Sequence, residues 1–291
     1  MRAVVIAITL AILSVLAESH DSVPVNYGLV VFPAFQALDV FGPLDALNML
    51  SLAYPLNLSI IAATLDPVST KPLTISVNSH FSESIIPTHT FDSPPDSLDV
   101  LIVPGGLGTW ASNLDATIDY IAATYPTLQY LITVCTGATL AARAGVLDGK
   151  NATTNKKSWE WATAQRPDVN WIAHARWVVD GNIYTTSGVS AGIDGTFAFM
   201  EAVYGDNATQ NVANSMEYSL FGDGEGSNTF KKCNGHALKG GITESFGNDY
   251  TNSIAYWNIG MARTRKGLRL RRLADRWEQV LVVGGKMLFF W

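Results

Sequence analysis

The sequence contains little cysteine and little charge, and both shortages exclude whole classes of protein. Its 291 residues include two cysteines, too few for a disulfide-stapled scaffold or a zinc site built from cysteines. Charged residues make up 15% of the chain, against roughly 25% in an average soluble protein. Hydrophobic residues make up 48%, so the chain can bury a large core and most of it is expected to fold.

Basic residues are scarce everywhere except near the C-terminus. The formal net charge is −6, yet eight of the 19 lysines and arginines lie in residues 262–291. The rest of the chain is therefore strongly acidic, which disfavours nucleic acid as a partner. We expect a folded domain over 18–222 and an irregular Gly- and Asn-rich extension over 223–261. The 262–291 tail could be a basic arm for anionic surfaces, an amphipathic helix or an artefact of gene prediction, and the abrupt change of charge favours the artefact.

The first 17 residues predict a secretory signal peptide. Arg2 precedes a short apolar run, and the small residue Ala17 fits cleavage before Glu18. The run is shorter than the roughly 20 residues that span a membrane, so we expect a secreted protein without membrane contact after cleavage. Three Asn-x-Ser/Thr triplets agree with secretion and predict glycosylation at Asn57, Asn151 and Asn207.

Apolar runs and helical patterns alternate through the mature chain. Continuous apolar runs such as Tyr27–Phe32 and Tyr130–Val134 are typical of strands buried on both faces, and a further short strand is expected at Leu73–Val77. The alternation predicts an α/β fold, a three-layer sandwich with a mostly parallel central sheet. Two later runs, Trp171–Val179 and Asn182–Ser187, are expected to pair as a hairpin.

A cysteine stands at the most informative turn of the sequence. The strand Tyr130–Val134 runs directly into Cys135, and the small residues Thr136 and Gly137 begin a helix at once. This pattern is typical of a nucleophile elbow, which presents its side chain at the carboxyl edge of the sheet. Because a helix N-terminus stabilises an anion, we expect the pKa of the thiol to fall. The alternative is a buried structural cysteine, alone or in a disulfide with Cys233.

Two further elements are expected beside this cysteine. Gly105 and Gly106 end the buried strand Asp99–Val103, so they lie at the same edge of the sheet, and the Gly106 N–H would be a natural oxyanion donor. Otherwise these glycines form a plain tight turn. Asp39 follows the first strand at the start of a helix, where an acid is ordinarily a cap; beside a thiolate it could instead carry a proton.

Four segments together resemble the PfpI-like (DJ-one/PfpI) superfamily of class I glutamine-amidotransferase-like proteins. The resemblance covers about 26–220 and implies a flavodoxin-like fold. Because homodimers are common among such proteins, it also suggests a homodimer. The segments are VFPAFQALDVFGPLDAL at 31–47, DVLIVPGG at 99–106, VCTGATLAARAGVLDGKNATTN at 134–155 and ARWVVDGNIYTTSGVSAGIDG at 175–195.

Departures from other branches of the superfamily favour one of them. Thr136 stands where peptidase-like and glyoxalase-like members carry His, and no histidine precedes a glutamate by two positions as in amidotransferases. Asp39 stands where oxidation-sensing members usually carry Glu. The combination most resembles the isonitrile (isocyanide) hydratase branch. Many relatives carry His at the position of Asn155, so a Cys–His dyad is in doubt; His174, expected in a strand, is more typical of a structural histidine.

The resemblance implies a mechanism that needs no metal or organic cofactor. The Cys135 thiolate would attack the carbon of a small isocyanide while Asp39 relays a proton. The Thr136 hydroxyl and the N–H groups of Thr136 and Gly106 would hold the intermediate until water releases an N-formamide. The main alternative is a non-enzymatic protein that senses a ligand or an oxidant through the same pocket. A third is a secreted structural protein with a Cys135–Cys233 disulfide.

Overall fold

A seven-stranded sheet forms the centre of the structure, a computed structural model that describes residues 23–72 and 79–220 and the backbone of two short strands nearer the C-terminus. The strands of the main unit are β1 (Asn26–Val30), β2 (Asn57–Ala62), β3 (Val68–Ser69), β4 (Ser84–Ile85), β5 (His89–Thr90), β6 (Val100–Val103), β7 (Tyr130–Val134), β8 (Asn151–Ala152), β9 (Asn170–Trp171), β10 (Trp177–Asp180) and β11 (Ile183–Thr186).

The strand order in the main sheet is β10-β11-β7-β6-β1-β2-β5. Every neighbouring pair is parallel except the β10–β11 hairpin. The central strands have no solvent-facing side: the Val-Leu-Ile-Val of β6 is completely buried. Because both faces are covered, these strands can be uniformly apolar, which is the pattern seen in the sequence. The predicted α/β fold with a mostly parallel central sheet is confirmed.

Six helices in the described part of the chain flank this sheet. One group, α1, α5 and α6, packs together, and in the other α3 contacts both α2 and α4. None of these helices is long and apolar enough to cross a membrane. Their bounds are α1 (Ala37–Leu50), α2 (Asp115–Thr124), α3 (Gly137–Arg143), α4 (Trp159–Ala164), α5 (Ser190–Tyr204) and α6 (Asp206–Ser215).

The expected strand over Trp171–Val179 is wrong in its first half. β9 ends at Trp171 and pairs in parallel with β8, whereas β10 begins only at Trp177 and forms the hairpin with β11. The Ile172 N–H donates to the Ala152 carbonyl at 2.7 Å, so this part of the chain is tied to β8 instead of continuing the hairpin. Residues 172–176 therefore turn between two different strand pairs.

The remaining described residues form a separate unit near the C-terminus. β12 (Val280–Val283) and β13 (Lys286–Phe289) pair antiparallel within it. The expected signal peptide, the expected strand at Leu73–Val77 and Cys233 lie outside the described residues.

Candidate active site

Cys135 lies at a strained turn between β7 and α3. Its φ is +58°, a left-handed conformation that costs a non-glycine residue about 1–2 kcal/mol. The residue is 6% exposed and carries a free thiol. β7 ends one residue before it and α3 begins two residues after it, which is the geometry of a nucleophile elbow. Strain of this kind persists only where the surrounding structure enforces it, and such strain is common at functional sites.

Glycines make room for the sulfur and the turn. A Cβ on Gly188, whose φ is +104°, would lie 2.8 Å from the Cys135 Sγ. A Cβ on Gly105 would lie 2.5 Å from the Thr136 backbone nitrogen. Any larger residue at either position must displace the elbow. Sequence reasoning missed Gly188, because its closeness to Cys135 arises from the β11–β7 pairing and not from any local pattern.

Asp39 reaches the same place from the other side of β6. It lies in the first turn of α1 and is completely buried. The Gly105 N–H donates to Asp39 Oδ2 at 3.0 Å. The carboxyl also lies close enough to Cys135 for each group to shift the pKa of the other. Asp39 Oδ1 is buried and has no hydrogen-bond partner. The carboxyl is therefore directed across the sheet edge, and the interpretation of Asp39 as a simple helix cap is wrong.

The pKa values of the Asp39 carboxyl and of the Cys135 thiol are both raised. Burial raises the pKa of the Asp39 carboxyl to about 7, and hydrogen bonds to Gly105 and Cys135 lower it only in part. Burial also raises the pKa of the Cys135 thiol to about 12, and the neighbouring Asp39 charge adds to the rise. The expected fall in the thiol pKa is therefore wrong, since desolvation and a like charge outweigh the helix N-terminus. Between these two values the pair holds one proton and titrates as a unit.

Thr136 joins the elbow to the glycine loop. Its hydroxyl oxygen accepts hydrogen bonds from the Gly106 N–H at 3.0 Å and from Thr109 Oγ1 at 3.0 Å. Its own N–H faces the developing charge of the Cys135 thiolate and lowers the pKa of that thiol. The Gly106 N–H, expected to be an oxyanion donor, is thus occupied by the Thr136 hydroxyl, as the Gly105 N–H is by Asp39. Both glycines position the site instead of presenting free donors to a substrate.

Asn155, which stands where many relatives carry histidine, and His174 lie in different surroundings. The Asn155 side chain lowers the pKa of the Cys135 thiol, so it lies near the sulfur and belongs to the site. His174 is exposed and lies in the turn between β9 and β10, so its expected place in a strand is wrong. Within residues 23–72 and 79–220, no three His, Cys, Asp or Glu side chains are grouped so that they could hold a metal ion.

The three candidate glycosylation sites are all exposed. Asn57 begins β2 and donates its amide to Asn26 Oδ1 at 3.0 Å. Asn151 begins β8 and donates to Asp180 Oδ2 at 3.1 Å. Asn207 lies in the first turn of α6. Exposure is compatible with a glycan at each site, and glycosylation stays a prediction.

Known proteins share both sequence and fold with this chain. The DJ-1/PfpI family profile matches residues 28–203. Isonitrile hydratase of Pseudomonas putida is 33% identical over 195 residues, which cover 66% of this chain and 78% of that protein. A solved THiJ/PfpI family protein from Pseudomonas syringae matches with a TM-score of 0.58 and 23% identity over 84% of this chain and 91% of its own. Drosophila melanogaster DJ-1beta matches with a TM-score of 0.54 and 18% identity over 67% and 98%, respectively. The two structural matches indicate a shared fold.

Proposed function

The chain belongs to the DJ-1/PfpI family, and on that premise we propose that it is a cysteine-dependent hydratase that converts a small isocyanide to an N-formamide. The observation that carries the proposal is the pair formed by the Cys135 thiol and the buried Asp39 carboxyl. The 33% identity to isonitrile hydratase of Pseudomonas putida supports the same reaction class. Such a pair supplies a nucleophile and a transferable proton at one point, which this reaction needs.

The first step uses the single proton that the pair shares above pH 7. Because the pKa of Asp39 lies below that of Cys135, the shared proton rests on sulfur, and the step begins when the thiol passes it to the Asp39 carboxylate. The Cys135 thiolate then forms a bond to the terminal carbon of the isocyanide. Asp39 delivers its proton to the same carbon as that bond forms, which leaves a neutral thioimidate and a carboxylate. The unpartnered Asp39 Oδ1 is the atom from which this proton can be handed over without breaking the bond from Gly105 to Oδ2.

The second step returns the site to its starting state. Water adds to the thioimidate carbon, and the Asp39 carboxylate accepts a proton from it as general base. One proton of that water ends on the substrate nitrogen and the other on Asp39. The carbon–sulfur bond breaks with its electron pair on sulfur, so the thiolate leaves and the N-formamide is released. The Thr136 N–H, which lowers the pKa of the Cys135 thiol, stabilises the departing thiolate.

Steady formation of an N-formamide tests this proposal. The purified protein is incubated with an excess of a small alkyl or aryl isocyanide, and product is followed by chromatography against an authentic N-formamide. Many turnovers per protein, absent from Cys135→Ser, are expected. Modification of at most one thiol per protein without further product would contradict the hydratase.

A sensing protein is the second candidate, and the free thiol of Cys135 at a strained turn favours it, because one covalent change there would strain the neighbouring segments. The burial and raised pKa of this thiol oppose reaction with general reagents, so a sensor of this kind would respond only to a small reagent that fits the site. Under this alternative, peroxide or a small electrophile would modify Cys135 once and change the protein without turnover. Mass spectrometry of the peptide that contains Cys135, before and after such treatment, separates the two candidates.

We also propose that the protein is secreted after removal of residues 1–17, is glycosylated and forms a homodimer. The apolar N-terminal run and the three exposed sequons support secretion and glycosylation, and homodimerisation rests on the family resemblance. N-terminal sequencing of protein collected from the medium should begin at Glu18, and endoglycosidase treatment should lower its mass. Sedimentation of the deglycosylated protein should give twice the chain mass. A start at residue 1, an unchanged mass or a monomer would contradict the respective part.

A further inference from the structure

The segment Leu107–Trp110 is a short 3-10 helix that follows the glycine loop and is bonded to both halves of the site. On one side, the Gly108 N–H donates to the Ala34 carbonyl at 3.0 Å, in the turn that leads from β1 to α1. On the other side, Thr109 Oγ1 lies 3.0 Å from Thr136 Oγ1, next to the elbow cysteine. The short helix is therefore fixed between the segment that carries the acid and the segment that carries the thiol.

The exposed side of this short helix is apolar. Leu107 and Trp110 are three residues apart, and side chains at that spacing lie on the same face of a 3-10 helix. They are 61% and 44% exposed, whereas Gly108 and Thr109 between them are buried. None of the four residues is charged. An uncharged apolar surface therefore lies directly beside the site.

A second tryptophan holds the Trp110 ring in place. The rings of Trp110 and Trp161 are stacked, with their centroids 4.3 Å apart and their planes at 25°. Trp161 lies on α4, and the segment before α4 is itself tied to the elbow, since Thr154 Oγ1 donates to the Cys135 carbonyl at 3.0 Å. Because Trp161 covers one face of the Trp110 ring, the exposure of Trp110 falls on its other face and its edges. The open ring face is thus positioned from both sides of the elbow.

The shape of an isocyanide directs its substituent to such a surface. The carbon, the nitrogen and the first atom of the substituent lie on one line. When the terminal carbon approaches the buried Cys135 sulfur, the substituent is therefore held away from the sulfur, towards the exposed rim of the site. A flat aromatic substituent there can stack on an open indole face, which is a favourable contact. A methyl group would cover little of the same surface.

We propose that Leu107 and Trp110 form the surface that binds the nitrogen substituent of the isocyanide, and that this surface selects a flat, uncharged aromatic substituent over a small alkyl one. Trp161 supports the Trp110 ring from behind. The inference rests on the proposed function and deepens it by naming the class of substrate. Its test measures binding beside Cys135 without turnover, so that the surface and the hydratase can fail separately.

Two N-formamides serve as probes: formanilide carries a phenyl substituent and N-methylformamide carries a methyl group. Each is titrated against the rate at which iodoacetamide alkylates Cys135 at alkaline pH, with the labelled peptide quantified by mass spectrometry. Formanilide should protect the thiol at a lower concentration than N-methylformamide. Trp110→Ala should raise the half-protecting concentration of formanilide by about 2–10-fold, the scale of an aromatic pair, and leave that of N-methylformamide unchanged. Trp110→Phe should recover most of the loss, because it restores an aromatic face.

The matched pair of variants is Leu107→Ala and Leu52→Ala. Both leucines are exposed, but Leu52 lies two residues beyond the C-terminal end of α1, about 16 Å along the helix from the turn that carries Asp39. Leu107→Ala should weaken protection by formanilide, by less than Trp110→Ala does, and Leu52→Ala should match the unaltered protein. Circular dichroism and thermal melting identify any variant that does not fold. Leu107→Ala, which changes an exposed side chain, keeps the proposal testable if Trp110→Ala is such a variant.

The outcomes separate the surface from the hydratase. Equal protection by the two formamides, or unchanged protection by formanilide in folded Trp110→Ala, would overturn the proposal. An equal loss in Leu52→Ala would overturn it too. Protection by formanilide that depends on Trp110, in a protein that does not turn over isocyanides, would support the surface and contradict the hydratase.

Discussion

The middle of the central strands is apolar, whereas their carboxyl edge carries a strained turn and a buried acid. In the middle, β6 and residues such as Leu131 and Ile132 are completely buried and apolar, so they stabilise the sheet without backbone strain or buried charge. At the carboxyl edge, Cys135, one residue beyond β7, has a positive φ, and the Oδ1 atom of the buried Asp39 has no hydrogen-bond partner. The comparison teaches that the sheet interior provides stability, which the edge uses to hold a strained and electrostatically unfavourable pair in place.

The largest effect is expected where the edge loses its nucleophile. Cys135→Ala should abolish isocyanide turnover, because no other group in the described site can form the covalent intermediate. The fold should persist, since alanine fills less of the same space and the elbow keeps its bonds from neighbouring segments. Product formation and thermal melting are measured together. Residual turnover above the uncatalysed rate would place the nucleophile elsewhere.

The next effect concerns the proton. Asp39→Asn keeps the shape of the side chain and its bond from the Gly105 N–H but removes the transferable proton. Turnover should fall by about 10²–10⁴-fold, the usual contribution of general acid–base catalysis. The losses in Asp39→Asn and Cys135→Ala should not add in the double variant, because the two residues act as a unit. Additive losses would show that they act separately.

The pH dependence of turnover tests whether Asp39 and Cys135 share one proton. The productive state of the pair holds one proton, and the first proton leaves with the pKa of about 7 that burial gives Asp39. Below this value the rate constant kcat/KM should fall by about tenfold per pH unit, because a single ionisation controls the active fraction. Above it a plateau is expected up to alkaline pH. A rate that is flat between pH 5 and 8 would contradict the shared proton.

A substitution in the sheet interior should lower stability and leave turnover unchanged. Leu131→Ala removes a completely buried side chain from β7 and should destabilise the protein by about 2–5 kcal/mol. Turnover per folded molecule should stay the same, because Leu131 lies away from the carboxyl end of the strand. Urea unfolding gives the first quantity and an active-site titration the second. A loss of turnover in fully folded Leu131→Ala would mean that the two regions are not separable.

The sequence predicted the strands well where they are buried on both faces. β7 has the predicted bounds, Tyr130–Val134, because a continuous apolar run has no other stable place than the sheet interior. The turn into Cys135 and the place of Asp39 after β1 followed from strand ends, which parallel topology gathers at one edge. Trp171–Val179 was divided wrongly, because an apolar run alone does not tell which of two partners takes its hydrogen bonds.

The details of the site could not be predicted because they depend on residues that are distant in the chain. The Gly106 N–H is taken by a hydroxyl 30 residues away, and Gly188 lies beside the elbow only because β11 pairs with β7. The thiol pKa was expected to fall from the helix start alone. Its direction is reversed by burial and by Asp39, two tertiary effects that no local pattern around Cys135 contains.

The smallest predicted effect tests whether the edge lowers stability as the comparison requires. Burial raises the pKa of Asp39 from 3.8 to about 7 in the folded protein. Between these values the folded state holds a proton that the unfolded state has lost, so this group's stabilisation is full below about pH 4 and is lost as pH rises through 7. Asn at this position does not ionise, so the stability of Asp39→Asn relative to the unaltered protein should rise by roughly 2–4 kcal/mol between pH 4 and pH 8.

Urea unfolding at both pH values measures the difference, with Asp45→Asn, an exposed acid on the same helix, as the control. A difference that does not change with pH, or one that the Asp45 control reproduces, would mean that the buried carboxyl imposes no ionisation cost and that the edge is as relaxed as the interior.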